Sequence, residues 1–145
     1  MLLKCSLINV KGRIRMRPPC EIVVRYILPA FRSLIAKELL EEYNLTQAAA
    51  AKKLGTTQAA ISYYLYSKRG KKYVEQLEAM PAVRAIVRES AKGIADENFS
   101  PADAVSRLCR LCADLRTQDI ICKMHKDLVL LPDDCKKCLT MMKTS

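Results

Sequence analysis

The sequence predicts an all-α fold, on three observations. Ala, Leu, Lys, Arg and Glu dominate the composition, and these are the strong helix formers. Apolar residues recur at gaps of three and four through most of the chain. Only four glycines are spread over 145 residues, and few segments are rich in β-branched residues, so little or no sheet is expected. The chain is long enough for one domain or two very small ones, and half of it is apolar, enough for a packed core.

The elements follow in order. Residues 1–20 carry five basic residues and no acid and read as a disordered or loosely attached basic arm, bounded at 1–16; Met16, followed at once by Arg-Pro-Pro-Cys, is a candidate for the true translation start. Val23, Val24, Ile27, Leu28, Phe31, Leu34, Ile35 and Leu39 form one helical stripe ending near Tyr43-Asn44. Pro29 interrupts it. A proline costs about 3 kcal/mol inside a helix but is tolerated at the first helical position, so the stripe is two helices or one kinked helix. Tyr73, Val74 and Leu77 mark a helix halted at Met80-Pro81, and Val83, Ile86, Val87 and Ile94 a longer one over 81–96. In "NFSPAD", Ser100 is an N-cap, Pro101 suits the first helical position and Asp103 the positive end of the dipole, opening a helix over 101–116. From Thr117 only short elements are expected, with a last small helix opening at Pro132-Asp133-Asp134. No internal repeat is visible.

Between these lies "LTQAAAAKKLGTTQAAISYYL". Thr46 caps a helix over Gln47–Leu54, Gly55 turns the chain at a positive φ, and Thr57 caps a second helix over Gln58–Tyr66. Ala51 is small where the two helices cross, and Leu54, Ile61 and Tyr64 point inward. That leaves Gln58, Ala59, Ser62, Tyr63 and Tyr66 outward. Gln pairs bidentately with adenine, Ala meets a thymine methyl, and Ser and Tyr bond bases or phosphates. Lys68, Arg69, Lys71 and Lys72 follow where a sugar–phosphate backbone would pass. The plainer reading is a helical hairpin with a solvated basic end. The net charge of +10 and a pI near 9.4 favour a polyanionic partner.

"LTQAAAAKKLGTTQAAIS" resembles the lambda-repressor-like (Cro or XRE) helix-turn-helix transcription regulators. The stretches "PPCEIVVRYILPAFRSLIAKELLEEYNLTQ" and "SYYLYSKRG" look more narrowly like archaeal regulators of that class with a C-terminal cysteine cluster. The resemblance covers residues 17–72. It implies double-stranded DNA as partner, Gln47 on phosphate, and Gln58, Ala59 and Ser62 facing bases. With the residues read above, the expected DNA-binding set is Gln47, Thr57, Gln58, Ala59, Ser62, Tyr63, Lys68 and Arg69. Many relatives carry a polar residue where this chain has Ala59, which thins direct readout there, and Tyr63 can compensate.

Five of the seven cysteines crowd into C-x2-C-x9-C-x2-H-x9-C-x2-C: Cys109, Cys112, Cys122, His125, Cys135 and Cys138; Cys5 and Cys20 stand alone. Two thiolates at i, i+3 share one side of a helical turn and can grip one metal. Zinc would take four ligands, such as Cys109, Cys112, Cys135 and Cys138, and an iron–sulfur cluster also takes four thiolates. The plainer readings are buried structural cysteine, with Cys112 on the face of Leu108 and Leu115, and a surface histidine at His125 beside Lys123 and Lys126. The archaeal regulators end in a similar tail, which tips the reading toward an iron–sulfur cluster, of 4Fe–4S type, acting as a sensor.

The expected fold is a lambda-repressor-like helix-turn-helix bundle with additional C-terminal helices and a short metal-binding tail. Its segments are a basic arm (1–16), a DNA-binding domain (17–72), a helical linker or dimerisation region (73–108) and a cysteine-rich metal-binding region (109–145). The expected function is a sequence-specific transcription regulator, active as a homodimer through the helices of 81–96 and 101–116, with a tail that senses redox or iron state. The competing reading is a zinc-stapled adaptor for nucleic acid or protein, without sensing. No nucleophile–base pair, P-loop or dinucleotide fingerprint is present, so no enzyme and no small-molecule substrate are expected. No run approaches 18 apolar residues and the N-terminus has no signal-peptide pattern, so a cytoplasmic protein with reduced thiols is expected.

Overall fold

A computed structural model describes residues 17–66, 71–128 and 134–135. Among the described residues every regular element is helical. Helix α1 (Pro19–Ile22) runs into a π-helical turn (Val23–Ile27) and then α2 (Leu28–Glu41); α3 is Gln47–Lys53, α4 Gln58–Tyr66, α5 Lys71–Glu78, α6 Pro81–Ala95, α7 Pro101–Thr117 and α8 Ile120–Leu128.

Helical structure thus continues through the proline. Pro29 sits in the first turn of α2, and the widened π turn lies just before it. A proline removes one hydrogen bond and crowds the carbonyl four residues earlier. A π turn widens the helix locally and so accommodates that crowding. Pro19 and Cys20 belong to α1. Residues 1–16 lie outside the described residues.

The chain divides into two compact units, Arg25–Leu111 and the pair of segments Met1–Val24 and Cys112–Ser145, with the divisions falling inside the π turn and inside α7. In Arg25–Leu111, α2 is the central element, and α3, α4, α5 and α6 all pack on it. Ile27, Leu39, Leu77, Val83 and Ile86 are fully buried. Helix α6 buries Val83, Ile86, Val87, Ser90, Ala91 and Ile94, a helical stripe at three- and four-residue spacing. The buried Ser90 hydroxyl is satisfied by donating to the Ile86 carbonyl at 2.7 Å. Helices α5 and α6 thus contribute to the core around α2, and the apolar stripe of α6 is used within the chain.

Ion pairs reinforce this unit at its edges. Lys37 of α2 donates to Glu78 of α5 at 2.7 Å, a bond that raises the lysine's pKa. Glu89 of α6 accepts from Arg107 and sits 3.7 Å from Arg110, both on α7. Ser100 and Asp103 cap α7 reciprocally: the Asp103 N–H donates to Ser100 Oγ (3.2 Å), and the Ser100 N–H donates to Asp103 Oδ2 (2.8 Å). The hydrogen bonds donated by the Ser100 hydroxyl (2.6 Å) and N–H hold the Asp103 carboxyl below its ordinary range.

In the other unit, α1 packs on α8. Helix α8 buries Ile121, Cys122, Met124 and His125 on one face. His125, expected at the surface beside two lysines, is buried, and its Nε2 lies 2.7 Å from the Arg17 carbonyl. Asp134 and Cys135 are non-helical, and the expected final helix otherwise lies outside the described residues.

Candidate nucleic-acid interface

The pair α3–α4 is built by local rules. Thr46 Oγ1 accepts from the Ala49 N–H (3.2 Å), and Thr57 Oγ1 from the Ala60 N–H (3.1 Å), so both helix starts are capped as their sequence implies. Gly55 has φ +63, the left-handed conformation that glycine adopts without a Cβ penalty. Its N–H donates to the Lys52 carbonyl and the next N–H, of Thr56, to the Ala51 carbonyl, closing the end of α3.

The inward face is a small core of Ala36, Ala51 and Ile61, flanked by the partly buried Leu40, Leu54, Tyr64 and Leu65. The four residues read as inward from sequence are all there. Ala36, Leu40 and Leu65 join them, the first two from α2. Alanines at 36 and 51 let α2 and α3 approach α4 closely. Ser33 of α2 donates to the Tyr64 carbonyl at 3.1 Å, a further tie near the end of α4. Lys53 anchors the end of α3 through the Ile94 carbonyl (3.3 Å) and Glu97 (3.0 Å); that hydrogen bond lowers the Glu97 pKa.

The outward face of α4 follows from this packing. Gln58, Ala59, Tyr63 and Tyr66 are exposed, and Ser62 is half-buried. Tyr63 and Tyr66 are among the few large apolar-bodied side chains on the surface, at 53% and 75% exposure. Thr57 is exposed and Gln47 half-buried at the start of α3. Lys71 and Lys72 are exposed in the first turn of α5. Lys68 and Arg69 lie outside the described residues. An open cleft of about 860 Å³ lies between α2, α4 and α5, with Tyr26, Tyr63, Tyr64, Tyr66 and Tyr73 in its walls. The Tyr26 and Tyr73 rings stand 5.3 Å apart, and the Arg25 guanidinium lies over Tyr26.

The cysteines are distributed differently from their spacing. Cys109 is exposed on α7, Cys112 half-buried, Cys122 buried on α8, and Cys135 half-buried; Cys138 lies outside the described residues. Among the described residues no three His, Cys, Asp or Glu side chains gather as they would around a metal ion. The described part of the tail therefore does not by itself fit a four-thiolate centre. Sequence reasoning also missed two participants. Arg116 donates through Nε to Cys112 Sγ and through Nη2 to Cys20 Sγ, each at 3.3 Å. Burial of Arg116 works against its charge, but the bonds to the two cysteines outweigh it and raise its pKa. Cys20 does not stand alone; nothing in the local spacing signals its neighbour.

Comparison with known proteins agrees with the α3–α4 geometry. Residues 37–71 match the family model described as Helix-turn-helix, a narrower span than the resemblance read over 17–72. No curated protein and no solved structure matches the chain. No described helix is long and apolar enough to cross a membrane. The matched span takes in the end of α2, α3, α4 and the first residue of α5, so the chain carries a helix-turn-helix domain.

Proposed function

We propose that this protein is a sequence-specific DNA-binding transcription regulator in which α4 enters the major groove. The observation that carries the reading is the division of α4: Ile61 and Tyr64 face the core, while Gln58, Ala59, Tyr63 and Tyr66 are presented to solvent from a capped helix. Gln58 and Ser62 supply base-edge hydrogen bonds, Ala59 an apolar contact, and Tyr63 a hydroxyl on a broad ring. Gln47 and Thr57, at helix starts, are suited to phosphate, and Lys68, Arg69, Lys71 and Lys72 to the backbone beyond it. A homodimer presenting two such helices to half-sites one turn apart is part of the proposal. The exposed Val105 on α7 offers apolar surface for it.

The test is selection of a preferred duplex, followed by titration at several salt concentrations. A specific regulator prefers its site over unrelated duplexes by about three decades or more. Replacing Lys71 and Lys72 by Ala should weaken binding to every duplex alike and reduce the salt slope by about two, near 0.9 per lost phosphate contact. Equal affinity for all duplexes would remove specific regulation from the reading.

The tail is proposed as a separate element, a thiolate metal centre drawing on Cys109, Cys112, Cys122, Cys135 and Cys138. It is supported by the C-x2-C spacing, and the described side chains alone do not form it. When bound, iron–sulfur would supply redox chemistry and zinc a structural cross-link. Absorption and metal analysis on protein purified without oxygen decides between them. Iron and sulfide with a broad visible band supports a sensor, one zinc supports a staple, and metal-free folded protein removes the centre.

A further inference from the structure

We infer that Cys20 and Cys112, held on the guanidinium of Arg116, form a dithiol that a hydroperoxide closes to a disulfide.

The two cysteines belong to distant parts of the sequence. Arg116 and Cys20 are 96 positions apart. Yet two nitrogens of one planar group, Nε and Nη2, donate to the two sulfurs at 3.3 Å each, so both thiols lie within the span of a single side chain. The segment that carries Cys20 is held from a second point: His125 Nε2 meets the Arg17 carbonyl at 2.7 Å, and α1 packs on α8. Arg17 and Glu21 pair across one turn around Cys20 at 3.6 Å. The pairing disagrees with the C-x2-C frame, which would join Cys112 to Cys109. Cys109 is exposed on α7, whereas Cys112 is half-buried and accepts from the same guanidinium as Cys20.

The chemistry fits the difference in exposure. Cys20 is exposed and accessible to a small solute, while Cys112 is half-buried. The Arg116 guanidinium holds the two sulfurs side by side, so the second thiol is in place when the first is oxidised. Cys20 Sγ attacks the hydroperoxide, breaking its O–O bond and giving a sulfenic acid and an alcohol, or water when the oxidant is hydrogen peroxide. Cys112 Sγ then attacks Cys20 Sγ. The S–S bond forms, the sulfenic hydroxyl leaves, and it departs as water with the Cys112 proton. The two sulfurs together give up two electrons and the O–O bond takes them. The site needs neither a metal nor bound DNA and stands independently of the reading of α4; it shares Cys112 with the proposed metal centre and so belongs to the metal-free protein.

The test uses the full, unmutated chain, reduced, freed of metal by chelation and then treated with hydrogen peroxide. Remaining thiols are alkylated and the protein is digested with trypsin without reductant. Trypsin cuts after Arg110, which separates Cys109 from Cys112, leaving Cys20 on residues 16–25 and Cys112 on 111–116. The expected product is those two peptides joined, released by reductant. A Cys109–Cys112 link in its place, or Cys20 recovered fully alkylated, overturns the proposal. Three variants probe the roles. In Cys112→Ser, Cys20 should accumulate as a sulfenic acid that dimedone traps, and no trapping at Cys20 counts against it as the attacking thiol. Arg116→Leu, which removes the group that holds the two sulfurs together, should slow closure about tenfold or more, with Arg116→Lys recovering part of the rate. An unchanged rate in Arg116→Leu removes the arginine from the mechanism.

Discussion

Ile61→Ala should lower the stability of the Arg25–Leu111 unit by about 2–5 kcal/mol, the range for truncating a large buried aliphatic side chain. Ile61 is fully buried and lies where α4 meets Ala36 of α2 and Ala51 of α3. Those two neighbours have no rotamers with which to fill the space, so only the partly buried Leu40, Leu54, Tyr64 and Leu65 around the cluster can relax into it. Urea unfolding followed by helical circular dichroism measures the shift in midpoint. Ala59→Ser, one helical position group away on the exposed side of the same helix, is the control and should move the midpoint little. A loss below about 1 kcal/mol for Ile61→Ala would mean that α4 is not seated on α2 and α3 as described.

The second large effect concerns affinity rather than folding. Gln58→Ala should cost about 1–3 kcal/mol on the preferred duplex, or about 5- to 150-fold in Kd, and relax preference at one base pair. Gln58 is exposed in the first turn of a helix whose start is capped by Thr57, so truncating it leaves the fold intact. Fluorescence anisotropy on the selected duplex and on its single-base variants separates the two readouts. An unchanged preference at every position would take Gln58 out of base recognition. A uniform loss across all duplexes would reassign it to the phosphates.

What could be read from sequence was what short-range rules encode. The caps at Thr46, Thr57 and Ser100 and the turn at Gly55 depend on residues within three or four positions, and the structure has them. The inward set Ala51, Leu54, Ile61 and Tyr64 follows from helical period alone. Ala36 and Leu40 were not legible as their partners, because which helix covers that face is decided by chain topology. The same limit explains α6. Its amphipathic stripe suits a dimer surface as well as an internal one, and only the position of α2 decides that it is internal. The π turn at Val23–Ile27 follows from Pro29 but could equally have been a break. His125 misled because its lysine neighbours flank it in sequence but not on the helix face it occupies. The bond from Arg116 to Cys20 crosses 96 positions and leaves no local trace.

The division of α4 has a consequence for how such a protein can change over generations. Residues that hold the helix in place and residues that face outward interleave along nine positions yet form separate sets. A lineage can therefore replace Gln58, Ala59 or Tyr63 one at a time while inheriting an intact scaffold, so the outward surface can change over generations without passing through unfolded ancestors.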